Sequence, residues 1–392
     1  MPGSGLELFG AEEKRELMDV MRSGHLSRYG ELNDPNFKRK VVTFEKDFAK
    51  YAGVKHAVAV SGGTGALMCC LRALEIGAGD EVIVPGYTFI ASISSILLMG
   101  ATPVLAEIDG SLTIDPADIE RKITPRTKAI LPVHMLGNPC DMDAIMEIAR
   151  RHGLYVIEDC CQAAGASYKG RKVGSIGDIG AYSLNSYKTI TADDGGVVVV
   201  NDDERYARAF GFHDQGHSPN RAGIEIGRRS IVGMNMRINE LTDAVALAQL
   251  RKLDGITGRL RRNKKRLKDA ISDIPNLSFR VIHGADEEVG TILTLLFPDK
   301  EKADAFTAKV GQKTLAHSGW HAYNNMEQIL AAGNYHKHML PQTDAISLRM
   351  QRSMRWHSGS ARSARRSACK AGTALGDKVR GSRCVFRRIL VK

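Results

Sequence analysis

Residues 155–188, YVIEDCCQAAGASYKGRKVGSIGDIGAYSLNSYK, decide how this chain is read. The segment opens on a short apolar run that ends in two acids, Glu158 and Asp159. It closes, after a second apolar run, on the lone Lys188. Short apolar runs between glycine-bearing turns are the pattern of strands buried on both faces. If these two strands are neighbours, an acid and an amine stand at one edge of a sheet. The acid can then hold the protonated ring nitrogen of an aromatic cofactor while the amine forms an imine at its other end.

The same alternation extends outward. Upstream, AVAV (57–60) predicts a strand, followed by the glycine turn SGGTG and a helix over 64–74. Glycines let a backbone approach a ligand, and the new helix's free amides favour an anion. EVIVP, TPVLAEI and TKAILPVH predict further strands, with helices over 87–98, 115–122 and 140–152 between and after them. Downstream, GGVVVVN predicts a strand and 203–210 a helix. The polar stretch 211–235 then leads into a long helix beginning NELTDAVALAQL. Helices are expected over 12–23 and 44–51, where Phe44, Phe48 and Tyr51 recur at helical spacing. This order implies an α/β fold with a predominantly parallel sheet covered on both sides, its functional residues beyond the strand C-termini. The expected organisation is a helix and loop over 1–40, a large domain over 41–250, a linking helix with a small α/β domain over 251–348, and a tail.

Residues 349–392 carry thirteen Lys or Arg and one acid, whereas the preceding 348 carry 42 basic and 43 acidic residues. The net charge of +11 is therefore a property of the tail, and a nucleic-acid-binding body is disfavoured. The Arg- and Ser-rich tail shows no sustained period and reads as disordered. Its abrupt onset after Leu348 is what an altered reading frame would produce, leaving the small domain without its closing segment. No apolar run is long enough to span a membrane and the first ten residues do not form a signal core, so a cytoplasmic location is expected. The seven cysteines, with adjacent pairs at 69–70 and 160–161, read as core packing, and no spaced Cys/His cluster suggests a metal.

The ordered motifs SGGTGAL, PGYTFIAS, PVHMLGNPCDMDAI, the 155–188 segment and GMNMRINELTDAVALAQL resemble the DegT/DnrJ/EryC/StrS group of sugar aminotransferases over residues 10–346. The resemblance implies the PLP-dependent transferase type I fold, with a seven-stranded sheet and pyridoxal 5′-phosphate as cofactor. It also implies a homodimer with active sites at the subunit boundary. By position, Lys188 is the Schiff-base lysine, and its presence disfavours the related dehydratases, which carry histidine there. Asp159, rather than Glu158, faces the pyridinium nitrogen, and Gln162 neighbours the ring or its 3′ oxygen.

The resemblance further places the phosphate on Gly63, Thr64 and Ser183, with Asn235 reaching it from the neighbouring subunit. Gly62 departs from the family's frequent Ser or Asn. Phe89 lies against the ring's face, while His134 and Arg237 are candidates for the substrate pocket. The implied reaction moves an amino group from L-glutamate or L-glutamine to a keto sugar, typically nucleotide-linked, or alternatively to a free cyclic ketone. A noncatalytic dimer with the same fold is the competing class, and a nucleic-acid-associated protein acting through its tail the third.

Overall fold

The computed structural model describes residues 3–332, except 32, 220–230, 276, 285–286 and 313, together with 389–391. Helices α1 (Ser4–Glu7), α2 (Ala11–Ser23) and α3 (Lys40–Ala52) precede β1 (His56–Val60). Then follow α4 (Gly63–Ala73), β2 (Glu81–Pro85), α5 (Ile90–Leu98), β3 (Thr102–Ala106), α6 (Pro116–Lys122), β4 (Thr127–Ile130), α7 (Met142–His152) and β5 (Tyr155–Asp159). A hairpin of β6 (Ser167–Tyr168) and β7 (Arg171–Lys172) leads to β8 (Ile179–Ser183), β9 (Gly196–Val200) and α8 (Asp203–His213). The long α9 (Glu240–Ile271) carries the chain to β10 (Ser278–Phe279), β11 (Leu293–Leu296), α10 (Lys300–Val310), α11 (Glu327–Leu330) and β12 (Ile389–Val391).

The main sheet has seven strands in the order β1-β9-β8-β5-β4-β2-β3. Only β9 runs against its neighbours, so the sheet is predominantly parallel as expected. Strands β2, β8 and β9 are buried at every position, because helices cover both faces and leave no polar side. Leu67, Leu71, Ile96 and Phe210 pack in one apolar cluster; Phe44, Phe48, Leu247 and Leu253 pack in another. Local signals fix the helix starts: Asp115, Asp141, Asp202 and Asn239 each cap a first turn by accepting a backbone N–H. Gly153 closes α7 in the left-handed conformation, which turns the chain directly into β5.

The helix expected from residue 87 starts at Ile90, because Gly86–Ile90 instead spend their backbone groups on a distant segment: Thr88 N–H donates to the His321 carbonyl (2.9 Å), Ile90 N–H to that of Trp320 (3.2 Å) and Tyr323 N–H to that of Gly86 (3.1 Å). The boundary at residue 250 falls inside α9, which is continuous over 32 residues. The tail is not wholly unstructured. Ile389–Val391 pair in parallel with Leu293–Leu295, forming with β10 a three-stranded sheet beside the apolar cluster of Leu267, Ile271 and Phe306. An apolar triplet suited to a strand was hidden by the surrounding arginines. Residues 349–388, on which the expected frame change and tail-borne nucleic-acid binding fall, lie outside the described residues. Among the described residues no helix is long and apolar enough to cross a membrane.

Candidate active site

The site is assembled where β1, β2, β5 and β8 end. Strands β5 and β8 are adjacent, with Asp159 in register with Ala181, so the acid of one and the turn that follows the other share an edge. Successive side chains on a strand point to opposite faces, and this separates the two acids. Glu158 is fully buried and accepts from the amides of Gly174 (2.8 Å), Ile176 (2.7 Å) and Gly177 (2.6 Å), as well as from His134 Nε2 (3.1 Å). Its acceptor capacity is consumed in holding the 174–177 turn. Asp159 accepts from Ser92 Oγ (2.7 Å) and from the Cys161 amide (3.0 Å), which leaves lone pairs for a further N–H donor.

His134, a candidate for the substrate pocket, is wholly buried. Its Nδ1 accepts the Cys140 amide at 3.0 Å, which fixes the Nε2–H tautomer that donates to Glu158. With Cys160 these two groups lie within 4.8 Å of one another, a metal-like cluster whose nitrogen and oxygen donors are already committed to hydrogen bonds.

Lys188 follows β8 and is half-buried; its Nζ lies 5.8 Å from the centre of the Phe89 ring. Among the described residues it makes no ion pair, the condition in which an amine can serve as a nucleophile. Phe89 is 38% exposed and stacks on Trp320, with ring centres 6.4 Å apart. Gln162 is half-buried and accepts the Leu136 amide at 3.0 Å through Oε1.

The glycine turn forms a cradle. A Cβ on Gly63 would lie 2.7 Å from Ser183 Cβ and 3.1 Å from Cys161 Sγ, so only glycine brings the start of α4 against the end of β8. A Cβ on Gly62 would meet nothing within 4 Å, which shows that the turn borders open space. The first-turn amides of α4 have no intrahelical acceptor, and the helix has no side-chain cap. First-turn amides without an intrahelical acceptor, the Ser183 hydroxyl, an acid with spare lone pairs and an amine fit the phosphate, ring nitrogen and aldehyde of pyridoxal phosphate.

Two predicted residues stand apart. Asn235 is exposed, and its Oδ1 accepts the Arg237 amide at 3.3 Å. Arg237 is tied through Nη1 to buried Asp214 and to Gln215 (3.0 Å), an ion pair within one chain. Tyr29 donates to the same Asp214. Behind this group, neutral His213 accepts from Arg28 (2.9 Å) and donates to the Phe210 carbonyl, and burial beside that guanidinium lowers its pKa to about 3.

A histidine kept neutral in the fold but protonated when unfolded favours folding above its unfolded pKa near 6.5, and that contribution is lost as pH falls through about 3. Urea melts from pH 6.5 downward should lose up to about 1.4 kcal/mol per pH unit through this one group. His213→Gln should flatten the slope by that amount, and an unchanged slope would contradict the assignment.

Sequence reasoning missed Ser92 and Thr88, whose hydroxyls are 2.7 Å apart and run to Asp159, and the Trp320–His321 pair beside Phe89. Ser92 lies within the PGYTFIAS motif, but only the first turn of α5 shows that it faces the acid. No local signal could have brought residues 320–321 to residue 89.

The chain matches the profile of the DegT/DnrJ/EryC1/StrS aminotransferase family over residues 8–358. It is 49% identical to the GDP-perosamine synthase of Caulobacter vibrioides over 55% of this chain, an alignment that spans 57% of that protein's length. It is 39% identical to the spore coat polysaccharide biosynthesis protein SpsC of Bacillus subtilis over 76% of each chain. The crystal structure of S. venezuelae DesV superposes with a TM-score of 0.71 at 30% identity, covering 94% of this chain and 93% of the other.

Proposed function

Because the chain belongs to the DegT/DnrJ/EryC1/StrS aminotransferase family, we propose that it is a pyridoxal-phosphate-dependent aminotransferase that transfers an amino group from L-glutamate or L-glutamine to a keto sugar carried on a nucleoside diphosphate. The observation that carries this reading is the placement of Asp159 and Lys188 at the ends of adjacent strands, beside the Gly63–Ser183 cradle. The acceptor class is supported by the relative at 49% identity, whose name specifies a GDP-linked amino sugar. A free cyclic ketone draws weaker support, from a relative at 41% identity whose name specifies a scyllo-inosose acceptor, and a noncatalytic dimer is not favoured.

Pyridoxal phosphate, when bound, supplies an aldehyde that takes up amines and a ring that accepts the electrons of a broken C–H bond. The amides of Gly63 and Thr64 and the hydroxyl of Ser183 would hold its phosphate, and Phe89 would limit tilt of the ring. Asp159, oriented by Ser92 and the Cys161 amide, would keep a proton on the ring nitrogen. Gln162, held by the Leu136 amide, would flank the ring. Lys188 Nζ would take the α-proton of the amino donor and deliver one to the cofactor C4′; the same atom would run the reverse transfer at the acceptor carbon.

A homodimer completes this reading. Tyr187 beside the lysine is 61% exposed, and Asn235 projects from the surface, as expected of groups that meet a second subunit. A cytoplasmic location accompanies it, where nucleotide sugars and glutamate are available.

Full-length protein given pyridoxal phosphate should develop a near-ultraviolet to visible band that L-glutamate converts to that of the aminated cofactor. Borohydride reduction before glutamate should place the label on the peptide containing Lys188. Folded protein that takes up no cofactor, or is labelled only elsewhere, would overturn the proposal.

A further inference from the structure

We propose that Trp320 is the specificity-determining residue for the acceptor, its indole forming a platform for the apolar face of the sugar ring rather than for the nucleobase. This rests on the aminotransferase reading above. Trp320 is 58% exposed, although a large aromatic side chain ordinarily seeks burial. Its position is nevertheless fixed. Its carbonyl and that of His321 accept the amides of Ile90 and Thr88, which flank Phe89, so the two aromatic residues are held on paired backbones. The rings are inclined by only 27°, a stacked arrangement, and the His321 ring sits 5.7 Å from Phe89 on a hydrogen bond between its Nδ1 and Ser318 Oγ (2.7 Å). The indole is thus a solvent-facing apolar plate stacked on Phe89 and carried on a backbone anchored to the Phe89 loop.

Distance selects the part of the acceptor. Lys188 Nζ is 5.8 Å from the centre of Phe89, and Trp320 lies one 6.4 Å step beyond. Those two steps set the greatest separation of indole and amine. They span a hexose whose carbonyl carbon is at the amine, but fall short of a base lying beyond a diphosphate. A pyranose offers one face of C–H groups, which an indole covers well, while its hydroxyls remain free for polar contacts.

The chain has two tryptophans, Trp320 and Trp356, so emission can be assigned. In the full-length Trp356→Phe holoenzyme, saturating GDP-, UDP- and dTDP-hexoses are titrated alongside GDP, UDP and dTDP. The inference expects a saturable change in Trp320 emission with at least one sugar nucleotide and none with its nucleotide alone. Trp320→Ala should raise the acceptor KM about tenfold with a smaller change in kcat, and Trp320→Phe should restore most of the loss.

An equal response to the bare nucleotide would overturn the assignment to the sugar, as would no response to any sugar nucleotide. Emission that changes only when the protein is diluted through its dimer–monomer transition would place the indole in the subunit contact and overturn it as well. The spectral response of the parent holoenzyme to L-glutamate is scored separately. Its loss defeats the aminotransferase reading, whereas its presence with an unresponsive Trp320 defeats this inference alone.

Discussion

Lys188→Ala is expected to lower kcat/KM for amine transfer by about four orders of magnitude or more, since in the proposed mechanism one atom serves both as nucleophile and as proton carrier. Among the described residues the Lys188 amine forms no ion pair, so the variant should fold and melt close to the parent. Cofactor can still be retained by the phosphate cradle, without a borohydride-stable bond to residue 188. Steady-state rates with L-glutamate, thermal melts and peptide mapping read these three consequences separately. Activity within tenfold of the parent would show that Lys188 is not the catalytic amine. A variant that does not fold would point instead to a structural role.

Asp159→Ala should reduce kcat by about two to three orders of magnitude and shift the bound cofactor's absorbance toward that of an unprotonated ring nitrogen. The loss follows from removing the acceptor that keeps the ring able to draw electrons from a breaking C–H bond. It also strands the Cys161 amide and leaves the Ser92 hydroxyl with Thr88 alone, which adds a stability cost of about 1–3 kcal/mol. Glu158→Ala provides the contrast. It leaves the amides of Gly174, Ile176 and Gly177 and His134 without their acceptor, so its main effect should be on the melting temperature. If Glu158→Ala carries the spectral change and Asp159→Ala does not, the assignment of the two acids is reversed.

Segment 320–323 pairs with Gly86–Ile90 in the loop that carries Phe89, so the aromatic wall of the site is built from both halves of the chain. Arg280 strengthens the same junction, donating to the carbonyls of Met135 and Leu136 (3.0 Å each), and the Leu136 amide in turn fixes Gln162. Residues on either side of α9 therefore meet at the loops that carry Phe89 and Gln162.

Period and punctuation in the sequence determined the strands, their alternation with helices and the parallel character of the sheet. Each of these depends on the burial of short apolar runs and on caps such as Asp141 and Gly153 that act within a few residues. The same local information placed Lys188, Asp159 and the glycine turn beyond strand ends. It could not separate Glu158 from Asp159, because adjacent residues have the same composition and only the pleat sends them to opposite faces. Nor could it show that His134 is buried, that Arg237 is tied to Asp214, or that Trp320 stands over Phe89. Tertiary structure alone decided these, because each depends on backbone and side-chain hydrogen bonds between segments tens to hundreds of residues apart.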